Sequence, residues 1–201
     1  MKTDTLFVVD DDPLILRMLT RMLRDAGFLV ETFASGREFL DRLPFKGSCC
    51  AIIDLQMPGM SGLDLQAELA KAEAPIPLIF ITGHGDVPAS VKAMKNGAVD
   101  FLLKPFEKTT LLAAVHAALE KDRHAQRKLA EIKSARDLEL SLTRREREVM
   151  ERVVAGQLNK QIAFGLGISE ATVKVHRGRV MEKMGVTSVA ELVKAIERGK
   201  R

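Results

Sequence analysis

The sequence has no apolar run approaching the roughly 18 residues that a membrane-spanning helix needs. It has only two cysteines, Cys49 and Cys50, which are adjacent within a short apolar run. They predict buried small side chains rather than a disulfide or a metal-binding pair. The first residues lead directly into a strand-like segment without the pattern of a secretory signal. We therefore expect a cytoplasmic protein with no membrane partner.

The two parts of the chain carry net charges of opposite sign. Residues 1–121 carry 13 lysines and arginines against 16 aspartates and glutamates, a net charge of −3. Residues 122–201 carry 18 against 11, a net charge of +7. A basic half suits a polyanionic partner such as nucleic acid, although a solvated basic surface is the alternative. A length of 201 residues allows two small domains.

Short apolar runs alternate with helical patterns between residues 5 and 106. The strand candidates are Leu6–Val9, Leu29–Phe33, Cys49–Ile53, Leu78–Ile81 and Val99–Leu102. The helix candidates are Pro13–Ala26, Gly36–Leu43, Ser61–Ala72 and Pro88–Asn96. Continuously apolar strands are typical of a parallel sheet that is covered on both faces. We predict a doubly wound α/β domain with a five-stranded parallel sheet over residues 1–121.

The next segment, residues 107–136, contains no glycine or proline and favours a long helix. Positions 111, 115, 118, 122, 125, 129, 132 and 136 follow alternating spacings of four and three, and six of the eight are apolar. This pattern is typical of a coiled-coil seam. The alternative is a last helix of the α/β domain followed by a solvated helical linker over residues 122–140, and both interpretations stay open.

Acidic residues lie at the ends of two predicted strands. Asp10, Asp11 and Asp12 follow the first strand, and Asp54 ends the third. If these strands are neighbours, their carboxylates converge at one edge of the sheet, where they need a cation such as Mg²⁺. The ion would orient Asp54 as a nucleophile towards a phosphoryl group. The simpler alternative is that the first three aspartates only cap the helix that begins at Pro13.

Two further polar residues lie at strand ends. Thr82 follows the fourth strand and offers a hydroxyl group to a phosphoryl oxygen, and Lys104 follows the fifth and offers a positive charge. Gly83 leaves room for the phosphorus. Taken alone, Lys104 could be a solvated surface charge. Its occurrence together with Asp10, Asp54 and Thr82, in this order, favours one phosphoryl site.

Four motifs resemble the receiver signature of two-component response regulators, and their residues are most like those of the FixJ/StyR type. The motifs are Val8–Pro13, Asp54–Gly62, Ile81–Asp86 and Gly97–Phe106. The resemblance implies that Asp54 accepts a phosphoryl group from a sensor histidine kinase. It implies that Mg²⁺ is held by the side chains of Asp10, Asp11 and Asp54 and by the Gln56 backbone carbonyl.

The same resemblance implies roles for three further residues. Thr82 and Lys104 would sense the phosphoryl group, and Phe101 would be an aromatic switch that turns inward when Thr82 moves. It implies a cis peptide bond between Lys104 and Pro105, and a homodimer on phosphorylation.

From Ser141 onward every pattern is helical. Thr143 and Glu146 form a capping box before a helix that ends at Gly156. A short helix over Asn159–Leu166 stops at Gly167, and Ser169 caps a third helix that reaches Met184. A fourth is predicted over Ser188–Arg198. The expected core consists of Ile162, Ala163, Leu166, Ile168, Val173, Val180 and Met184.

The third of these helices is expected to expose a basic face that carries Lys174, His176, Arg177, Arg179 and Lys183. Such a helix fits the major groove of double-stranded DNA. The best candidates for base contacts are Lys174, Val175 and Arg177. The candidates for phosphate contacts are Asn159, Lys160, Thr172, Arg179 and Lys183. The alternative is an amphipathic helix with a solvated charged face.

Residues 141–201 resemble the LuxR/NarL-type helix-turn-helix output domain. The resemblance implies a four-helix DNA-binding domain whose last helix mediates dimerisation on a two-fold symmetric promoter site. It implies a transcription regulator, an activator rather than a repressor, with RNA polymerase as a further partner.

The sequence disfavours three other functions. A phosphohydrolase would place a second acid two residues after the nucleophile, but Gln56 stands there, so we expect no enzyme. A phosphorylation-independent dimerisation module would not need Asp54, Thr82 and Lys104 together. An RNA-binding antiterminator is disfavoured by the helix-turn-helix spacing.

Overall fold

The computed structural model describes residues 4–45, 47–83 and 87–199. The chain forms two compact units, residues 1–126 and 127–201. His84, Gly85 and Asp86, which belong to the third receiver-like motif, lie outside the described residues.

The first unit is built on a five-stranded sheet. Its strands are β1 (Thr5–Val9), β2 (Leu29–Phe33), β3 (Cys49–Asp54), β4 (Leu78–Thr82) and β5 (Asp100–Leu103). All pairs are parallel, in the order β2-β1-β3-β4-β5. The helices between the strands are α1 (Pro13–Arg24), α2 (Gly36–Asp41), α3 (Gly62–Lys71) and α4 (Val87–Lys95). The predicted doubly wound α/β fold is confirmed.

The central strands are continuously apolar because helices cover both faces of the sheet. On one face, Leu6, Val8 and Ile52 pack with residues of α1 and of a later helix. On the other, Phe7 and Ile53 pack against α2, α3 and α4. The side chains of one strand point alternately into the two cores, so every position of β3 and β4 is buried.

The two cysteines follow this alternation. Cys49 belongs to one core and Cys50 to the other, and both are free and buried. Burial raises the pKa of the Cys49 thiol to about 12. The prediction that they are buried small apolar residues rather than a disulfide agrees with these positions.

Helix α5 (Lys108–Leu140) is continuous and begins in the first unit. Leu111, Val115 and Ala118, the first members of the four-three pattern, are fully buried in that unit's core. Packing within one domain thus explains the first half of the pattern. Leu129, in the second half, is 67% exposed. The coiled-coil seam stays a prediction for this second half.

Asp122, where the linker is predicted to begin, is part of the first unit. Its buried carboxylate accepts hydrogen bonds from the Cys49 backbone N–H (3.0 Å) and from the Gln126 side-chain amide (2.7 Å). Burial raises the pKa of Asp122. These bonds fix α5 against the start of β3, so the first unit extends five residues beyond the predicted boundary at residue 121.

The second unit holds the end of α5 and helices α6 (Arg144–Val154), α7 (Asn159–Leu166), α8 (Glu170–Lys183) and α9 (Val189–Gly199). The predicted capping box is present, since Thr143 and Glu146 exchange backbone-to-side-chain hydrogen bonds. Gly167 ends α7 with a left-handed φ of 65°. The expected core forms, with Ile162 and Val173 fully buried.

No helix among the described residues is both long and apolar enough to cross a membrane.

Candidate phosphorylation site and DNA interface

The carboxyl ends of the strands bring the predicted phosphoryl site together. Asp10 follows β1 directly, and Asp54 ends the neighbouring β3. Thr82 ends β4, and Lys104 follows β5. Asp10, Asp54 and Thr82 are 1%, 6% and 1% exposed. The strand order therefore gathers residues that are up to 94 positions apart in the sequence.

Lys104 joins the two buried carboxylates. Its Nζ lies 2.8 Å from Asp10 Oδ2 and 2.7 Å from Asp54 Oδ1. Burial opposes the ammonium charge, but the hydrogen bonds to Asp10 and Asp54 outweigh burial and raise the pKa of Lys104. Burial also raises the pKa of Asp10, while its bond to Lys104 acts in the opposite direction. The alternative of a solvated Lys104 is wrong.

Backbone N–H groups fix the other oxygen of each carboxylate. The Gln56 N–H donates to Asp54 Oδ2 (2.8 Å), and the Asp12 N–H donates to Asp10 Oδ1 (2.8 Å). Each carboxylate is thus held between one backbone donor and the lysine. A carboxylate held in one orientation at a sheet edge is suited to attack a phosphorus atom.

Asp10, Asp11 and Asp12 have different environments. The Asp12 side chain caps α1 by accepting from the Leu14 N–H (2.7 Å), with Pro13 at the first helical position. Asp11 is exposed. The capping alternative therefore holds for Asp12, while Asp10 belongs to the site.

The oxygen atoms of Asp10 and Asp54 indicate which cation the site could hold. Within the described ranges, no three His, Cys, Asp or Glu side chains form a group that could hold a metal ion. Asp10 and Asp54 nevertheless share one ammonium ion, so the pair already accommodates a cation. Their oxygen donors suit Mg²⁺. Asp11 and the Gln56 carbonyl stay predictions as ligands.

Thr82 and Phe101, the predicted sensing and switch residues, lie at the end of β4 and within β5. Thr82 is paired in register with Leu103, and its carbonyl accepts a hydrogen bond from the Lys104 N–H (2.7 Å). Phe101, in β5, is half-buried and packs against the core that contains Phe80. The Lys104–Pro105 peptide bond is cis, as expected. The roles of Thr82 and Phe101 stay predictions.

Gly62 is a site residue that the sequence-based reasoning missed. A Cβ there would lie 2.5 Å from the Asp54 backbone oxygen and 3.0 Å from the Phe80 ring. The start of α3 therefore approaches the end of β3 so closely that only glycine fits. The available signal was a glycine directly after the Ser61 cap, inside a helix that glycine weakens.

In the second unit, the exposed face of α8 is narrower than predicted. After the first residue of α8, Glu170, which is also exposed, this face is formed by Ala171, Lys174, Val175, Gly178, Arg179 and Glu182. Lys174, Val175 and Arg179 are therefore candidates for DNA contacts in the positions that the sequence predicts. We call this set of six residues the reading face.

Arg177 lies outside the reading face. It is half-buried, and its Nη1 donates to Asn159 Oδ1 at the start of α7 (3.1 Å). With Lys160, these residues line one cleft of about 530 Å³. This placement favours a phosphate contact for Arg177, beside Asn159 and Lys160, over the predicted base contact.

His176 and Lys183, which are predicted to share the exposed basic face, are only partly exposed and lie outside the reading face. Because an α-helix has 3.6 residues per turn, positions 176 and 183 lie beside the buried Val173 and Val180. His176 is half-buried, and its buried Nδ1 has no hydrogen-bond partner among the described residues. Thr172 is also half-buried, and its hydroxyl shares a hydrogen bond with Ser169.

Lys183 has a structural partner. Its Nζ lies 2.7 Å from Glu146 Oε2, and the Glu146 side chain is only 3% exposed. The hydrogen bond from Lys183, helped by the Thr143 N–H, lowers the pKa of Glu146 to about 2. The pair joins α8 to the start of α6, so Lys183 supports the domain rather than a phosphate contact.

Replacement of Glu146 by glutamine is expected to lower the stability of the second unit by about 1–3 kcal/mol at neutral pH, because Lys183 loses its charged partner. Since the pKa of Glu146 falls from 4.5 to about 2 on folding, its stabilisation is complete above pH 4.5 and is lost as the pH falls towards 2. Calorimetry of the full-length protein across this range measures the effect. The variant should lose less stability on acidification than the wild type; parallel losses would contradict the assignment.

Comparisons with known proteins agree with both halves of this arrangement. The family model for the response regulator receiver domain matches residues 6–116, and the model for bacterial regulatory proteins of the luxR family matches residues 140–196. Nodulation protein W of Bradyrhizobium diazoefficiens is 48% identical over 194 residues, which cover 95% of this chain and 84% of that protein. Response regulator protein TodT of Pseudomonas putida is 43% identical over 197 residues, 98% of this chain and 87% of that protein. The solved structure of response regulator StyR has a TM-score of 0.89 at 44% identity and covers 98% of this chain and 100% of its own.

Proposed function

Because the chain belongs to the response regulators that join a receiver domain to a LuxR-family DNA-binding domain, we propose that a phosphoryl group on Asp54 controls its binding to promoter DNA. Response regulators with this output domain are transcription factors and not enzymes, and their receiver implies a sensor histidine kinase as partner. The observation that carries the proposal is the Asp54 carboxylate, held at the sheet edge by Lys104 and the Gln56 N–H.

In the proposed reaction, an Asp54 oxygen attacks the phosphorus of a phosphohistidine. An acyl phosphate forms, the phosphorus–nitrogen bond breaks, and the imidazole leaves with the electron pair and takes up a proton. Lys104, 2.7 Å from Asp54, supplies positive charge to the transferred group without a large movement. The Thr82 hydroxyl offers a hydrogen bond to another phosphoryl oxygen.

Mg²⁺ is the proposed metal. Asp10 and Asp54 would hold it, with Asp11 and the Gln56 backbone carbonyl as the further ligands that the sequence predicts. When bound, the ion supplies charge neutralisation for the incoming phosphoryl group. Asp10 keeps its second role as a partner of Lys104.

The route from the site to the surface is short. Lys104 follows Leu103 directly in the chain, and Leu103 is paired with Thr82. A shift of Lys104 and Thr82 towards the phosphoryl group therefore reaches β5, where Phe101 is the proposed switch. We describe the change as a shift between two receiver populations.

The proposed dimer surface lies on α4, β5 and α5, between about residues 88 and 119. Val87, Val91 and Met94 are 68%, 45% and 45% exposed and share one face of α4 at spacings of four and three. Leu103 of β5 is 53% exposed. Exposed apolar side chains of this kind favour contact with a second receiver.

Dimerisation would raise the local concentration of two output domains on paired half-sites. Within each domain, Lys174 and Val175 are the proposed base contacts, and Asn159, Lys160, Arg177 and Arg179 the proposed phosphate contacts. Helix α9 is the proposed dimer contact on DNA. Activation through RNA polymerase, in the cytoplasm where the DNA lies, completes the proposal.

Phosphotransfer is tested by incubating the full-length protein with acetyl phosphate and Mg²⁺, followed by mass spectrometry. We expect one added phosphoryl group on the peptide that contains Asp54, removed by hydroxylamine as an acyl phosphate should be. A phosphoryl group on a serine or threonine, or none at all, would contradict the proposal. Sustained hydrolysis of a generic phosphomonoester by the same sample would favour the phosphohydrolase alternative.

A further inference from the structure

Gly178 stands in the middle of the reading face. It lies within the 14-residue helix α8, four residues after Lys174 and three after Val175. The spacing places all three on one side of the helix, and all three are exposed. Arg179 adds a second positive charge beside the glycine.

Folding does not explain a glycine at this position. Its φ lies outside the left-handed region, so the backbone does not require glycine. Apart from its chain neighbours and the nearby backbone of α8 itself, no heavy atom of the described chain lies within 4 Å of an ideal Cβ built there, so a side chain would meet open space. Glycine inside a helix is less favourable than alanine, so the residue weakens α8 without a structural return.

We propose that Gly178 is a specificity-determining residue, at which the backbone of α8 approaches DNA more closely than a side chain permits. The proposal rests on the proposed role of α8 as the reading helix and deepens it. Gly178 lies between Lys174 and Arg179 on the exposed face of α8. This is the face that would enter the major groove of double-stranded DNA.

Close approach at position 178 also affects Lys174 and Val175, which lie one turn earlier in α8. If the helix lies closer to DNA at position 178, the side chains of Lys174 and Val175 reach further into the groove. A side chain at position 178 would lift this part of α8 away from the base edges. Contacts that need close approach would then weaken more than long-range attraction to phosphates.

The test uses the full-length protein with Gly178→Ala and Gly178→Leu. The probes are a duplex selected from a random pool by the wild type and an unrelated duplex of equal length. We expect both variants to melt at a higher temperature than the wild type, since both residues favour helix more than glycine. Affinity for the selected duplex should fall roughly 10-fold for alanine and more for leucine, in keeping with a loss of base contacts. Affinity for the unrelated duplex should change by less than about threefold.

Glu151→Leu, on the exposed side of α6, is the control for adding a leucine to this domain. It should leave the preference for the selected duplex unchanged. Gly178→Leu binding to the selected duplex within twofold of the wild type would overturn the inference, and so would equal losses on both duplexes. Each affinity is measured with and without acetyl phosphate. If acetyl phosphate does not change these affinities, the result argues against the role of Asp54 but not against that of Gly178. The variant is compared with the wild type separately in each condition.

Discussion

Replacement of Asp54 by asparagine is expected to abolish phosphodonor-dependent dimerisation and the accompanying gain in DNA affinity. Asparagine has nearly the same shape and keeps an oxygen for the Gln56 N–H, which lies 2.8 Å from Asp54 Oδ2. It lacks the second anionic oxygen that contacts Lys104, and its amide is a poor nucleophile. The fold should survive while the reaction is lost. Light scattering with and without acetyl phosphate and Mg²⁺ measures the dimer.

A matched variant separates phosphorylation from dimerisation. Val91→Asp places a charge on the exposed face of α4, outside the strand ends that carry Asp54, Thr82 and Lys104. We expect it to accept a phosphoryl group at the wild-type level and to stay monomeric, because the apolar surface is interrupted. An Asp54→Asn protein that still dimerises with phosphodonor would refute the regulatory role of Asp54. A Val91→Asp protein that dimerises normally would refute only the proposed surface.

Replacement of Lys174 by alanine is expected to have the largest effect on DNA recognition. A base contact by lysine contributes about 1–3 kcal/mol of discrimination, so specific binding should fall roughly 10- to 100-fold. Binding to unrelated DNA should fall much less, since it depends on phosphate charges as a whole. Fluorescence anisotropy with the selected and unrelated duplexes measures both affinities.

Lys160→Ala is the comparison for this experiment, because Lys160 is an exposed lysine at the start of α7 and outside the reading face. As a phosphate contact, it should weaken binding to both duplexes by a similar factor and reduce the salt dependence by about one counterion. If Lys174→Ala shows this same pattern, Lys174 is a phosphate contact and not a reader of bases.

Most of the receiver fold follows from local patterns. Continuous apolar runs such as Cys49–Ile53 mark buried parallel strands, and all five predicted strands agree with the structure within one or two residues. The position of Asp54 at a strand end is equally local. In the output domain, Thr143, Gly167 and Ser169 mark helix ends because caps need particular side chains or a left-handed backbone.

The four-three pattern of α5 shows where a local pattern is ambiguous. Leu111, Val115 and Ala118 fit a coiled-coil seam and the buried side of a last domain helix equally well. The buried Asp122 does not interrupt this pattern, because its carboxylate accepts a hydrogen bond from the Cys49 N–H of β3. Since that donor lies 73 residues away, periodicity alone could not assign Asp122 to the first unit.

The sequence alone determined which residues end the strands, which residues cap the helices and that one helix near the C-terminus is basic, because these properties depend on neighbours in the chain. Tertiary structure decided which of them meet. It placed Lys104 between Asp10 and Asp54, paired Lys183 with Glu146, and left Gly178 exposed on α8. Strand order and the rotation of a docked helix depend on the packing of distant segments, so a pattern read along the chain does not contain them.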